Sequence, residues 1–174
     1  PARRALLSAL FWLTLGVAPA AIPLNGAWRQ VHAGDTPASV MAEYHQGALK
    51  SFDPSLLQRF PHDGAGSWVV IAPQPPWDNS GRVLTIYPPT LANVTVFAGS
   101  VPMTLALDDF SAPFHGHGRL AWQVPAGMAA STPILLRFEP SATLVAPVRF
   151  QIEPMRDYVQ QEARWLVFAS ACFA

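Results

Sequence analysis

Charged side chains are scarce in this 174-residue chain, in which Asp, Glu, Lys and Arg make up 13% of all residues, against about a quarter in ordinary domains. The formal net charge is zero, Lys50 is the only lysine, and no cluster of basic residues occurs. Affinity for nucleic acid comes largely from basic side chains that neutralise phosphates, so the sequence argues against a nucleic-acid partner. Hydrophobic residues make up 51% of the chain, which argues against disorder.

Residues and motifs that carry catalysis are nearly absent. The single cysteine, Cys172, lies in an apolar run at the C-terminal end and has no partner for an intramolecular disulfide. No serine lies in a G-x-S-x-G pattern, and no glycine-rich turn of the phosphate-binding type occurs. We therefore expect that this chain is not an enzyme and uses no cofactor.

The first 20 residues have the composition of a secretory signal. Arg3 and Arg4 supply the positive end, residues 5–17 the apolar centre, and residues 18–20 (Ala-Pro-Ala) the small side chains of a cleavage site. We expect cleavage after Ala20. The alternative is an N-terminal membrane anchor that stays attached, although its apolar run is shorter than a membrane span. Both interpretations place the middle of the chain outside the cytoplasm.

Short apolar or alternating segments separated by glycine and proline predict seven or eight β-strands. Residues 67–72 are rich in aromatic and β-branched side chains, which is typical of a strand buried on both faces. Residues 134–139 and 148–153 alternate with the period of half-buried strands, and we expect them to pair as a hairpin with a long turn. This succession favours a mainly β fold, an antiparallel β-sandwich of the jelly-roll type. Residues 23–34 are either a short first strand or an entry segment, and the other predicted strands are 82–87, 92–99, 103–107 and 120–124.

Helical segments are few and lie near the N-terminus. Asp35 or Thr36 is positioned to cap a short helix whose first residue is Pro37. Residues 48–60 leave two alternatives open. Their apolar side chains match helical spacing, and they also suit an irregular loop that the same side chains hold in the core.

The C-terminal segment combines a charged stretch with an apolar run. Residues 155–164 are compatible with a helix, and every residue from 165 to 174 except Ser170 is apolar. This run is about half the length that a membrane helix needs. One alternative is a short buried helix. The other, which we favour, is the start of a first transmembrane helix with Arg164 and Trp165 at the membrane boundary.

Several motifs occur in an order that resembles a known family. Ser51-Phe52-Asp53 follows the polar N-terminal helix, and a strand begins with Ser67-Trp68. The segment LTIYPPTLANVTVF covers residues 84–97, and PILLRF, with its Leu136-Arg137 pair, precedes a strand that ends in proline. Together they resemble the extracytoplasmic type 2 domain of bacterial seven-transmembrane receptors with diverse intracellular signalling modules. The resemblance extends from residue 24 to residue 174 and rests on the order and spacing of the strands.

The resemblance implies a periplasmic sensor domain of a protein in the bacterial inner membrane. It divides the chain into a signal peptide (1–20), a β-sandwich sensor similar to carbohydrate-binding modules (21–154), and a linker with the start of the first transmembrane helix (155–174). The parent protein would carry a cytoplasmic output such as a GGDEF diguanylate cyclase or a histidine kinase. The implied partners are the membrane and either a small ligand, with carbohydrate as one option, or a periplasmic protein; a homodimer stays open. The alternative is a secreted carbohydrate-binding-type module without membrane output.

Two places offer candidate ligand-binding side chains. Trp77 stands beside Asn79 in a polar loop, and an aromatic ring with neighbouring hydrogen-bonding groups is suited to stacking on a sugar. Its alternative role is to anchor the loop on the domain. Arg137 interrupts an apolar strand, where its guanidinium is suited to binding an anionic ligand. The alternative is an ion pair with a carboxylate: Glu139, Asp108 or Asp109.

A metal site has little support in the sequence. His115 and His117 flank a glycine near Asp108 and Asp109, and imidazoles and carboxylates are metal ligands by type. Their spacing matches no recognised ligand pattern. We therefore predict a solvated loop over residues 108–119 and no metal.

Overall fold

The computed structural model describes residues 22–61, 64–74, 81–87, 93–98, 101–106, 115–116, 119–129, 131–140 and 147–173. Within these residues the chain is mainly β, with two antiparallel sheets and a helix at the C-terminal end. The predicted signal peptide lies outside them. In chain order the elements are β1 (Leu24–Gln30), α1 (Pro37–His45), β2 (Lys50–Phe52), β3 (Ser67–Pro73), β4 (Arg82–Tyr87), β5 (Val94–Phe97), β6 (Met103–Leu105), β7 (His115–Gly116), β8 (Arg119–Gln123), β9 (Ile134–Phe138), β10 (Arg149–Pro154) and α2 (Met155–Phe173).

The strands form a six-stranded sheet in the order β2-β1-β3-β9-β5-β6 and a four-stranded sheet in the order β10-β4-β8-β7. Each of the seven segments predicted as a strand overlaps an observed strand, and so does the segment 23–34, so the mainly β fold is confirmed. The short strands β2 and β7 were not predicted, because two or three residues are too few to show a period. β7 lies within the predicted loop and pairs with β8.

Strands β9 and β10 do not pair with each other, so the predicted hairpin is wrong. β9 lies between β3 and β5 in the six-stranded sheet, whereas β10 lies beside β4 at the edge of the four-stranded sheet. An alternating pattern indicates that a strand has one buried face, but it does not identify the neighbouring strand. Two strands that follow each other in the chain, β9 and β10, thus belong to different sheets.

Both sheets contribute to one hydrophobic core. The six-stranded sheet supplies Val69, Ile71 and Leu136, and the four-stranded sheet supplies Leu84 and Trp122, all of them buried. Burying an aliphatic or aromatic side chain of this size stabilises a fold by roughly 1.5–3 kcal/mol. The shared core therefore holds the two sheets together.

Helix α1 covers the other face of the six-stranded sheet. Thr36 caps it: the Thr36 hydroxyl accepts from the Ser39 N–H at 3.1 Å, and the Ser39 hydroxyl accepts from the Thr36 N–H at 3.0 Å. The predicted cap and proline start are thus confirmed. Val40 of the helix lies in a second buried cluster with Trp68 and Leu135. Both faces of β9 are therefore largely buried. The prediction that β9 is half-buried is wrong, because the sequence of a strand does not show which other elements pack on it.

Residues 48–60 form no helix, and the irregular-loop alternative is confirmed. Apart from β2, the only pairing there is an isolated bridge between Gln58 and Val148. Phe60 is buried, and its ring centroid lies 5.4 Å from that of Phe52. Aromatic contacts therefore hold this segment against the core.

Helix α2 follows β10 without a connecting loop. Pro154 is the last residue of the strand, and Met155 is the first residue of the helix. The first turns of α2 lie on the four-stranded sheet, where Tyr158 is buried in a small cluster with Val83. Among the described residues, no helix has the length and apolar character that a membrane crossing requires.

Candidate functional site

A groove of about 810 Å³ runs along one side of the molecule, where the edges of the two sheets meet. Strand β2 is the first strand of the six-stranded sheet, and β10 is the first strand of the four-stranded sheet. We refer to this cavity as the edge groove. Its polar lining includes Asn25, Ser51, Asp53, Gln74, Arg149 and Gln151.

Phenylalanine side chains from both sheets line the apolar part of the edge groove. The ring centroids of Phe52, from β2, and Phe150, from β10, lie 6.0 Å apart. Gly26 of β1 makes room for the Phe52 ring, because a Cβ atom at this position would lie 2.5 Å from Phe52 Cε1. The absence of a side chain at Gly26 is therefore what lets the ring lie close to the sheet.

The polar groups of the edge groove are partly ordered by hydrogen bonds. Gln74 Nε2 donates to Asn25 Oδ1 at 2.7 Å, which bridges the ends of β3 and β1. Asp53 Oδ1 accepts from the Ser55 hydroxyl at 2.7 Å and from the Ser55 N–H at 2.9 Å. These two donors lower the pKa of Asp53 below its ordinary value, so this exposed carboxylate is charged at neutral pH.

Arg149 supplies a positive charge at the start of β10. Its side chain is exposed, and its guanidinium carbon lies 5.2 Å from the ring centroid of Tyr87 on the neighbouring strand. Within the part of the chain that the structure describes, no carboxylate pairs with it. The described lining of the edge groove thus includes a cation and an anion together with amide and hydroxyl groups, a combination suited to binding a polar ligand.

A second polar cluster attaches α2 to the four-stranded sheet, and we refer to it as the α2 clamp. The guanidinium of Arg119, on β8, donates to Glu153 Oε1 at 2.8 Å and to Glu162 Oε1 at 2.7 and 2.9 Å. Gln161 Nε2 donates to Glu153 Oε2 at 2.8 Å. Because Glu153 belongs to β10 and the other two partners to α2, Arg119 holds the strand and the helix together.

The α2 clamp is a buried ionic site. Glu153 is 1% exposed, and burial raises its pKa although the Arg119 charge acts in the opposite direction. Tyr158 lies under the guanidinium, with 4.5 Å between the Arg119 carbon and the ring centroid. Burial raises the pKa of Tyr158 to about 12. Breaking contacts inside such a site is costly, because each remaining polar group then lacks a partner.

Of the three residues predicted as ligand-binding, Arg137 is described and does not line the edge groove. Trp77 and Asn79 lie outside the described residues. Arg137 lies on the face of the six-stranded sheet that carries Trp68, with its guanidinium carbon 5.5 Å from the Trp68 ring centroid. Its Nε lies 3.5 Å from Glu139 Oε1, which is the ion pair that the sequence offered as the alternative. Ligand binding by these three residues stays a prediction.

The metal prediction falls largely outside the described part of the chain. The backbone of His115 belongs to β7, and His117, Asp108 and Asp109 are not described. Among the residues that the structure describes, no three His, Cys, Asp or Glu side chains are close enough to hold a metal ion.

The residues that line the edge groove were not predicted from the sequence. Asp53 and Arg149 are far apart in the chain and meet at one cavity only because β2 and β10 are edge strands of different sheets. The one available signal was the alternation of Arg149 and Gln151 with apolar residues, which places both on one face of a strand.

Comparison with known proteins identifies no similar protein. No family model, no curated protein and no solved structure matches the chain. Function is therefore inferred from the edge groove and the α2 clamp themselves.

Proposed function

We propose that this chain is the periplasmic ligand-sensing domain of a membrane signal-transduction protein, with the edge groove as its ligand site. The observation that carries the proposal is the position of β10. Arg149, Phe150 and Gln151 line the groove, and the same strand continues directly into α2. A ligand that moves β10 therefore also moves the start of the helix.

The strand connections support a sandwich of the jelly-roll type. β3 pairs with β9 in one sheet, and β4 pairs with β8 in the other. The consecutive strands β3 and β4 thus lie in different sheets, and each pairs antiparallel with a later strand of its own sheet. This arrangement of paired strands across two sheets is typical of jelly rolls. The shared hydrophobic core is consistent with this arrangement.

The α2 clamp supports a route from the groove to the helix. Glu153 follows Gln151 by two positions on β10, and its carboxylate contacts both Arg119 and Gln161. Signalling requires two arrangements of the protein that bind the ligand with different affinity. In our proposal the clamp is closed in one arrangement and open in the other, so that ligand binding changes the position of α2.

The C-terminal half of α2 supports a location at a bacterial inner membrane. Trp165, Leu166, Val167 and Phe168 are 49%, 50%, 70% and 69% exposed. Because four consecutive residues point to all sides of a helix, this surface is apolar all round. Exposed apolar surface of this kind marks contact with lipid or protein. The parent protein would carry a cytoplasmic output such as a diguanylate cyclase or a histidine kinase.

A secreted carbohydrate-binding-type module without membrane output is the alternative. In that case the edge groove still binds the ligand, while the apolar half of α2 contacts protein rather than lipid. The two functions differ in the environment of residues 165–173, which can be measured directly.

The membrane location can be tested with a spin label on Cys172, the only cysteine and an exposed one. With lipid vesicles, the proposal predicts that the label becomes accessible to oxygen and shielded from a water-soluble nickel reagent. The matched control carries Cys172→Ala and Gln46→Cys, which moves the label to the exposed end of α1, where nickel access should not change. Equal nickel access at Cys172 with and without vesicles would favour the secreted module.

A further inference from the structure

We infer that the edge groove binds a short zwitterionic peptide, with the ligand's ammonium group at Asp53 and its carboxylate at Arg149. This inference rests on the proposed sensing function of the groove and adds the chemical class of its ligand. It is carried by the charges in the groove, their lack of partners among the described residues, and the other groups that line the groove.

The two charges in the edge groove differ from the arginines that attach the helices to the sheets. The guanidinium groups of Arg29 and Arg119 each contact two carboxylates, at 2.7 to 2.8 Å. Among the described residues, by contrast, Arg149 pairs with no carboxylate and Asp53 pairs with no cation. Two opposite charges line one groove without neutralising each other or any other described residue, which leaves both for a ligand.

Both groups also have atoms that no other described residue contacts through a hydrogen bond. Ser55 donates to Oδ1 of Asp53, and no described donor contacts Oδ2. The Arg149 side chain donates no hydrogen bond to a described residue, and its guanidinium lies near the Tyr87 ring. A guanidinium near an aromatic ring keeps its N–H groups available for a carboxylate, which it can bind through two parallel hydrogen bonds. An ammonium group in turn donates to carboxylate oxygen.

The other groups that line the edge groove suit a peptide backbone and apolar side chains. Asn25, Gln74 and Gln151 offer amide donors and acceptors, which complement the N–H and C=O groups of peptide bonds. Ile22, Leu24 and Phe52, which are partly exposed, supply apolar surface. At about 810 Å³ the groove lies within the range of sites for ligands much larger than a single amino acid. A peptide of a few residues therefore fits both its size and its chemistry.

A neutral sugar fits the described groove less well. Sugars stack on open aromatic faces, whereas Phe150 is buried and Phe52 is only partly exposed. A neutral ligand would also leave the charges of Asp53 and Arg149 without counter-charges. The distinction between the two ligand classes is thus one of charge, which can be tested by blocking each end of a peptide.

The test measures binding of an equimolar tripeptide library to the full chain in lipid nanodiscs by titration calorimetry. The library is used in three forms: free, N-acetylated and C-terminally amidated. A hydrogen bond to a charged group contributes enough that its loss weakens affinity about tenfold. We expect each blocked library to bind about tenfold more weakly than the free one.

Two variants assign the ends of the peptide to the two side chains. In Asp53→Asn the free and N-acetylated libraries should bind equally, while amidation still weakens binding. In Arg149→Gln the free and amidated libraries should bind equally, while acetylation still weakens binding. The matched control is Arg59→Gln, an exposed arginine that does not line the groove, which should behave as the unaltered chain. Equal binding of all three libraries to the unaltered chain, or no binding, would overturn the inference.

A second measurement separates this inference from the proposed function. The spin label on Cys172 reports whether α2 moves when a ligand binds. A spectrum that responds to a mixture of neutral oligosaccharides but not to tripeptides would refute the ligand class and retain the sensor. Tripeptide binding that leaves the spectrum unchanged would retain the ligand class and refute the coupling to α2.

Discussion

The two helices are attached to the two sheets by ionic clusters of the same kind. In each cluster one arginine contacts two carboxylates: Asp35 and Glu43 for Arg29 beside α1, and Glu153 and Glu162 for Arg119 beside α2. The clusters nevertheless differ in their electrostatics. The pKa of Asp35 lies well below its ordinary value, whereas the pKa of Glu153 lies above it.

Hydrogen-bond donors account for this difference. Asp35 accepts from Arg29 at 2.7 and 2.8 Å, from the His32 N–H at 2.7 Å and from Trp68 Nε1 at 3.0 Å, and these donors outweigh the effect of burial. Glu153 is more deeply buried and, among the described residues, accepts only from Arg119 and Gln161, so burial prevails. A buried carboxylate therefore stabilises its surroundings when it has enough donors and is costly when it has few.

The largest effect is expected for Arg119→Gln. This change leaves Glu153 buried with Gln161 as its remaining described donor, which should cost about 3–5 kcal/mol of unfolding free energy. Urea unfolding at neutral pH measures it. The comparison variant Arg29→Gln should cost less, because Asp35 keeps the His32 N–H and Trp68 Nε1. If Arg119→Gln and Arg29→Gln lower the unfolding free energy equally, the number of remaining donors does not distinguish the two clusters.

A smaller loss is expected for Asp35→Asn. The substitution removes charge-assisted hydrogen bonds with Arg29 and should cost about 2 kcal/mol, measured in the same way. Glu43→Gln is the matched control, because Glu43 is the more exposed partner of the same arginine and should contribute less. A larger loss in Glu43→Gln would show that Asp35 is not the main anchor of α1.

Glu153→Gln should change stability by less than about 1 kcal/mol at neutral pH, because it removes a buried charge while keeping an acceptor for Arg119. Its main effect should be on pH dependence. Because the pKa of Glu153 is raised in the folded protein, protonated Glu153 stabilises the fold. This contribution to the free energy of unfolding is complete below the ordinary pKa near 4.5 and is lost as the pH rises through the raised pKa. Asp35 acts in the opposite sense: its contribution is present above its ordinary pKa near 3.8 and is lost as the pH falls below it.

Unfolding curves from acid to neutral pH therefore distinguish the two carboxylates. Glu153→Gln should reduce the fall in stability above the ordinary pKa of Glu153, and Asp35→Asn should reduce the loss in more acidic solution. If Glu153→Gln leaves the curve above pH about 5 unchanged, burial does not control the protonation of Glu153.

The smallest effect is expected for Arg156→Gln. Arg156 lies 3.2 Å from Asp157 at the start of α2, but its side chain is 87% exposed. Such pairs contribute little in water, so the change in unfolding free energy should stay within about 0.5 kcal/mol. A loss comparable to that of Arg119→Gln would mean that distance rather than burial determines the strength of these contacts.

Local features of the fold were predictable because they depend on residues close together in the chain. The cap at Thr36 and the strand over residues 82–87 follow from short patterns, and both are confirmed. The strands that pair with β9 depend on distant residues, and the sequence wrongly predicted a hairpin with β10. The conformation of residues 48–60 also depends on distant residues, and the sequence left a helix and an irregular loop as alternatives. The candidate site shows the same limit, since Asp53 and Arg149 carry no shared motif.

The sequence by itself determined that this is a mainly β chain with few charges, a capped N-terminal helix and an apolar C-terminal run. These properties follow from composition and from periods of two to four residues. Only the tertiary structure decided which strands pair, which charges meet at the edge groove, and which carboxylate is buried beside α2. The physical reason is that pairing, burial and electrostatic environment arise from contacts between residues that are distant in the chain, and a local pattern carries no information about them.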